Sequence, residues 1–169
     1  MHMDFVMEVN QLIRFSPKRL TLLQSMQFEV PSSTPNLRPL CPTHWTVHTS
    51  AIQSILSNYA VLCDTLCKVN EEGRDSYAIK ADGILSVMEK FSTYFGLQLS
   101  HLVFSTMEQF SLNLQGNDTT VQEALQASKL ALANLQRQRS NDAFDSFYNQ
   151  TNECSKDLTL YRVYITTLL

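Results

Sequence analysis

The sequence predicts an all-α fold, an irregular bundle of helical hairpins, from three features. All five prolines (Pro17, Pro31, Pro35, Pro39 and Pro42) lie in the first 42 residues, so the 127 that follow lack the strongest interruption to a helix. Apolar residues in that stretch recur at three- and four-residue intervals, the 3.6-residue period of an amphipathic helix. Gly73, Gly96 and Gly116 stand between the periodic segments, where glycine serves as a stop or turn. At least five helices are expected, with no sheet beyond an incidental pairing of the last ten residues.

In chain order, Asp4 to Arg14 and Pro17 to Met26 read as two short helices, the second opened by Pro17 at its first position, where the missing N–H is not needed. Gln27 to Thr43 is a proline-rich linker. Ile52, Ile55, Leu56, Tyr59, Leu62, Cys63, Leu66 and Val69 form one apolar stripe. Tyr77, Ala81, Ile84, Leu85, Met88, Phe91 and Phe95 repeat it between Gly73 and Gly96, and Leu99, Leu102, Val103, Phe110 and Leu114 do so less cleanly before Gly116. Thr120-Val121-Gln122-Glu123 is a capping box, and Val121, Ala124, Leu125, Ser128, Leu132 and Leu135 follow it on one face. A last helix spans Asp142 to Tyr148. From Leu160 to Leu169 the residues are strand-prone, an atypical end with no partner strand elsewhere. The organisation is therefore residues 1–26 as short helices, 27–43 as linker, 44–150 as the helical bundle and 151–169 as the tail.

Composition excludes several classes of function. With 44% hydrophobic residues the chain can bury a core, and with 13 Lys+Arg against 16 Asp+Glu its net charge of −3 does not suit a basic nucleic-acid binder. Charged residues are only 17%, below the roughly 25% of an average chain. Ser, Thr, Asn and Gln fill the gap, which suits a surface partly covered in a larger assembly. No apolar run approaches the ~20 residues of a membrane span. Asp4 and Glu8 break the layout of a signal peptide, and the four cysteines lack the spacing of a disulfide framework, so an intracellular setting with reduced thiols is expected.

Few residues carry the marks of chemistry. Cys41, His44 and His48 have C-x2-H-x3-H spacing, but a structural zinc site needs a fourth ligand, and Cys63 and Cys67, one helical turn apart, fit a buried helix face better. No metal and no cofactor is expected. The acids include no paired arrangement that could hold two ions, His101 has no nucleophile and orienting acid beside it, and no glycine-rich phosphate loop exists. Catalysis and a small-molecule substrate are accordingly not expected. Lys18-Arg19 and Arg137-Gln-Arg139 are small basic clusters that more often mark helix ends than a nucleic-acid face.

Leu37-Arg-Pro-Leu-Cys-Pro-Thr-His-Trp-Thr-Val-His-Thr-Ser-Ala-Ile-Gln-Ser-Ile-Leu-Ser-Asn-Tyr59 resembles the zinc finger MYM-type protein 1-like family, relatives of hAT transposases. Glu89 to His101, Leu114 to Ala127 and Arg137 to Tyr148 resemble the same family in the same order, and the likeness runs from about Asp4 to Leu158. It implies an RNase H-like core interrupted by a large helical insertion, of which this chain is the first part, with the core and its metal-binding acids lying outside it. In hAT transposases an Arg-Trp pair near the start of the insertion is associated with a base flipped out of the DNA end. Trp45 matches the tryptophan, while His44 and His48 stand where the family has arginines, each one CpG-type transition away, as in a degenerating copy.

The resemblance implies a transposon-derived fragment without catalysis, nuclear if functional, and at most a residual module for DNA, bound weakly, or for other protein subunits. Trp45, His44, His48, Arg38, Lys18 and Arg19 are the candidate nucleic-acid contacts. Trp45 has two readings, since an indole beside an apolar stripe either stacks on a base or anchors a core. The alternative function is a free-standing helical adaptor that binds other proteins through uncovered apolar faces. No membrane association is expected.

Overall fold

A computed structural model describes residues 2–28, 36–39, 48–73, 75–115 and 120–168. The chain is all-α. Among the described residues there are eight helices and no strand: α1 (His2–Arg14), α2 (Pro17–Phe28), α3 (His48–Ser57), α4 (Tyr59–Glu72), α5 (Ser76–Met88), α6 (Phe91–Leu114), α7 (Val121–Gln138) and α8 (Asn141–Leu168).

The core lies among α1 to α5 and the first half of α6. Val6, Val9, Leu12 and Ile13 of α1 meet Ala51, Ile52 and Ile55 of α3, Leu62, Cys63 and Leu66 of α4, Ala81, Ile84 and Met88 of α5, and Leu97 of α6 in one buried cluster. The two short N-terminal helices are thus part of the same core as the bundle. Leu37, within the proline-rich segment, joins it at 5% exposure. Each of these core helices contributes apolar residues at helical spacing, and removing them from water is what holds marginal single helices in place.

Local chemistry sets the boundaries. Pro17 opens α2 as expected, with Ser16 before it, whose Oγ accepts from the Arg19 N–H at 3.5 Å. Asp75 caps α5, its carboxylate accepting from the N–H groups of Tyr77 (3.1 Å) and Ala78 (3.0 Å). Thr120 and Glu123 form the expected capping box at α7: the Glu123 N–H donates to Thr120 Oγ1 at 3.3 Å, and the Thr120 N–H to Glu123 Oε2 at 2.8 Å. Those bonds from Thr120, the backbone one first, hold the Glu123 carboxyl below its ordinary range.

Three boundaries differ from the sequence expectation. The stripe from Ile52 to Val69 is two helices, because Asn58 breaks the backbone between them and is itself buried at 1% exposure, donating from Nδ2 to the Ser54 carbonyl and accepting from Gln27 Nε2. Gly96 does not stop a helix. The break falls at Glu89-Lys90, where Lys90 is extended, and α6 runs through Gly96 because the buried Tyr94 and Leu97 on either side fix the helix against the core. The strand-prone end is helical to Leu168. Among the described residues there is no strand for this segment to pair with, and a helix satisfies its backbone within the segment, so weak strand propensity loses to continuation of α8.

Glycine positions differ sharply in cost. A Cβ on Gly73 would meet Ala78 Cβ at 2.9 Å and the Val69 carbonyl oxygen at 3.0 Å, which lets α4 turn closely into α5. Gly83, inside α5, has nothing within 4 Å of an added Cβ. Gly83→Ala should therefore stabilise the chain by about 0.5–1 kcal/mol, through helix propensity and a less flexible unfolded state. A urea titration checks this, and an unchanged or lower midpoint is the contrary result.

Candidate functional site

Among the described residues, the sequence-predicted contacts lie on separate elements. His44 and Trp45 lie outside the described residues, as does Cys41. His48 is the first residue of α3 and is only 7% exposed, its ring set edge-on to Phe104 of α6 at 5.5 Å between centroids. Arg38 is exposed, and its backbone N–H donates to Ser54 Oγ at 3.0 Å.

Lys18 and Arg19 sit at a different corner, where α2 begins. Arg19 Nε donates to the Leu12 carbonyl at the end of α1 (2.6 Å), and its guanidinium carbon lies 4.5 Å from the centre of the Tyr77 ring on α5. The side chain is thereby a clasp between α1 and α5, combining a capped helix end with a cation–π contact. Lys18 Nζ is 3.7 Å from Glu72 Oε2, an exposed pair of little energetic weight. Glu72 and Asp75 line the same small cavity as Lys18 and Arg19, so two acids face two bases there.

Cys63 is buried in the core, and Cys67 Sγ donates to Glu71 Oε1 at 3.5 Å. Among the described residues no group of three or more His, Cys, Asp or Glu side chains could hold a metal ion. Burial pulls the His101 pKa below its ordinary value, with the Glu108 carboxylate acting the other way. Among the described residues, no helix is long and apolar enough to cross a membrane.

What the sequence reading missed is the surface of the α6–α7 hairpin. α7 has no buried residue, and among the described helices it touches only α6 and α8. It is tied to α6 through Asn134, whose Nδ2 donates to Thr106 Oγ1 at 3.4 Å and whose Oδ1 accepts from Arg137 Nη2 at 3.0 Å. An open groove of about 550 Å³ runs between the two helices, lined by amides such as Gln109, Asn113 and Asn134. Beside it lie uncovered apolar side chains: Val121 (88% exposed), Leu125 (54%) and Leu132 (57%) on α7, and Val103, Met107 and Leu114 on α6 at 39–42%. The spacing of Val121, Leu125 and Leu132 is visible in the sequence, but periodicity marks a face without saying what covers it.

No family model, no curated protein and no solved structure matches the chain.

Proposed function

We propose that this chain is a non-catalytic helical domain of a hAT-transposase-like, zinc finger MYM-type protein 1-like polypeptide, and that it works by holding another polypeptide against the α6–α7 hairpin. The uncovered apolar face carries the reading. α7 makes a capped 18-residue helix yet buries none of its apolar side chains fully within the chain, and contiguous exposed apolar surface on a folded domain marks a place of contact. The four sequence blocks that resemble the family support the transposon-derived origin. DNA contact is a minor part of this reading, since His48 is buried and Arg19 is engaged with Leu12 and Tyr77.

A position-specific photo-crosslinker tests the proposal in cells. Placed at Leu125, on the apolar face, it should give a discrete crosslinked product. Placed at Gln126, which is exposed but points about 100° further round the helix, it should give none. Equal products from both positions, or none from either, would refute an interaction through this face.

A further inference from the structure

We infer that the partner on the α6–α7 face is a second copy of this chain, in a two-fold arrangement that places α6 of one copy over α7 of the other. This rests on the interaction reading above and names its occupant.

The placement follows from helix geometry. At about 100° per residue, Val103, Met107 and Leu114 fall within roughly 40° of one another on α6, and Val121, Leu125 and Leu132 do so on α7. Each stripe is displaced by somewhat more than a quarter turn, in the same rotational sense, from the residues that line the groove between the two helices: Thr106, Gln109 and Asn113 on α6, and Ala127, Ala131 and Asn134 on α7. Because consecutive helices joined by a short connection run antiparallel, equal rotation brings both stripes to the same side. The hairpin therefore presents one two-helix apolar face.

The levels along that face match. The Asn134–Thr106 hydrogen bond sets residue 106 beside residue 134, and each step along α6 corresponds to a step back along α7. Met107 is then at the level of Leu132, and Leu114 at the level of Leu125, to within one residue. A two-fold axis running along the hairpin keeps those levels and exchanges the helices, so Met107 of one copy meets Leu132 of the other, and Leu114 meets Leu125. The face is its own complement, which is what an isologous interface requires.

Charge points to the same occupant. Within α6 the only Asp, Glu, Lys or Arg is Glu108, which lies more than a quarter turn from the stripe; on α7, Glu123 and Arg137 face elsewhere and only Lys129 borders it. A charged partner finds little there to pair with, whereas two copies of a nearly uncharged face meet without like-charge repulsion. The area sets the strength. α7 has 18 residues, hence a length of about 27 Å, and two packed helices are roughly 20 Å wide. The covered face is on the order of 500 Å² per copy, short of the ~800 Å² of a standard stable interface. Association should be concentration-dependent, micromolar or weaker.

Sedimentation velocity over a concentration series tests this. The mass should rise from one chain of 19.3 kDa towards two as concentration increases. Leu114→Lys and Leu125→Glu, both at exposed positions, should each remain at one chain with unchanged helical signal, and an equimolar mixture of the two should recover the dimer. A single-chain mass at every concentration, or a mixture that associates no better than its parts, overturns the assignment. If a partner other than this chain is crosslinked from Leu125 while the purified chain stays monomeric, the second copy is wrong and the interaction reading stands. If Leu125 gives no product at all, both fall.

Discussion

Phe95→Ala is expected to cost about 3 kcal/mol of stability, and to loosen α8 before the rest of the chain unfolds. The Phe95 ring is the hub of the aromatic cluster that joins α6 to α8: its centroid lies 5.4 Å from Phe147, 5.8 Å from Phe91 and from Tyr148, and 6.3 Å from Phe144. Truncating a buried phenylalanine costs ~3–5 kcal/mol, and because Phe95 is half-buried the low end applies. Phe144 stands at the edge of the cluster at 50% exposure, so Phe144→Ala should cost nearer ~1 kcal/mol. Urea titrations of both variants give the ranking. Hydrogen exchange adds the location: amides of α8 should lose protection in Phe95→Ala, while those of α4, anchored by Leu62 and Leu66 in the main core, should keep more of theirs. Equal costs for the two variants, or protection lost evenly in α4 and α8, would mean that α8 is held by something other than this cluster.

The same cluster shows what a sequence reveals and what it conceals. Phe144, Phe147 and Tyr148 announce an apolar helix face, and Phe91 and Phe95 another; that the two faces meet is a tertiary fact with no local signature. The α7 cap was legible because a cap is a local event: Thr120 and Glu123 act on backbone groups three residues away. Asn58 was hidden for the opposite reason. A buried asparagine that ends one helix and precedes the next is stabilised by Gln27, 31 residues earlier, whose side-chain amide donates to Asn58 Oδ1 at 2.6 Å.

Gly96 was misleading because glycine only lowers helix stability by about 1 kcal/mol relative to alanine, a cost that burial of Tyr94 and Leu97 readily offsets. The candidate site was half legible. A stripe of Val121, Leu125 and Leu132 is readable from spacing, but periodicity cannot tell a stripe that faces the core from one that faces a partner. The setting of Lys18-Arg19 was illegible for a related reason, since local sequence does not show that Leu12 and Tyr77 engage one of the two bases while Glu72 faces the other.

His48→Arg is expected to destabilise the chain by about 3 kcal/mol and to bring no DNA affinity with it. The resemblance places an arginine at this position, and four residues before it at His44, so spacing alone would put both charges on one helix face ready for phosphates. The fold puts residue 48 elsewhere: it is 7% exposed, edge-on to Phe104, at the first position of α3. Arginine stays charged under all folding conditions, and removing a charge from water is costly. The N-terminal end of a helix adds to the penalty, because its unpaired N–H groups carry the positive end of the dipole and disfavour a cation. The guanidinium would have to displace Phe104 or pull the start of α3 outward, and either movement reduces packing of α3 on α6. Thermal melts in low and high salt, alongside a DNA titration over the same salt range, separate the possibilities. Under the burial account the melting temperature falls at every salt concentration and binding stays at the starting level. Should His48→Arg instead melt with the starting protein and gain an affinity that declines steeply with salt, the added charge would be reaching phosphate from the surface, and the buried placement of residue 48 would be wrong.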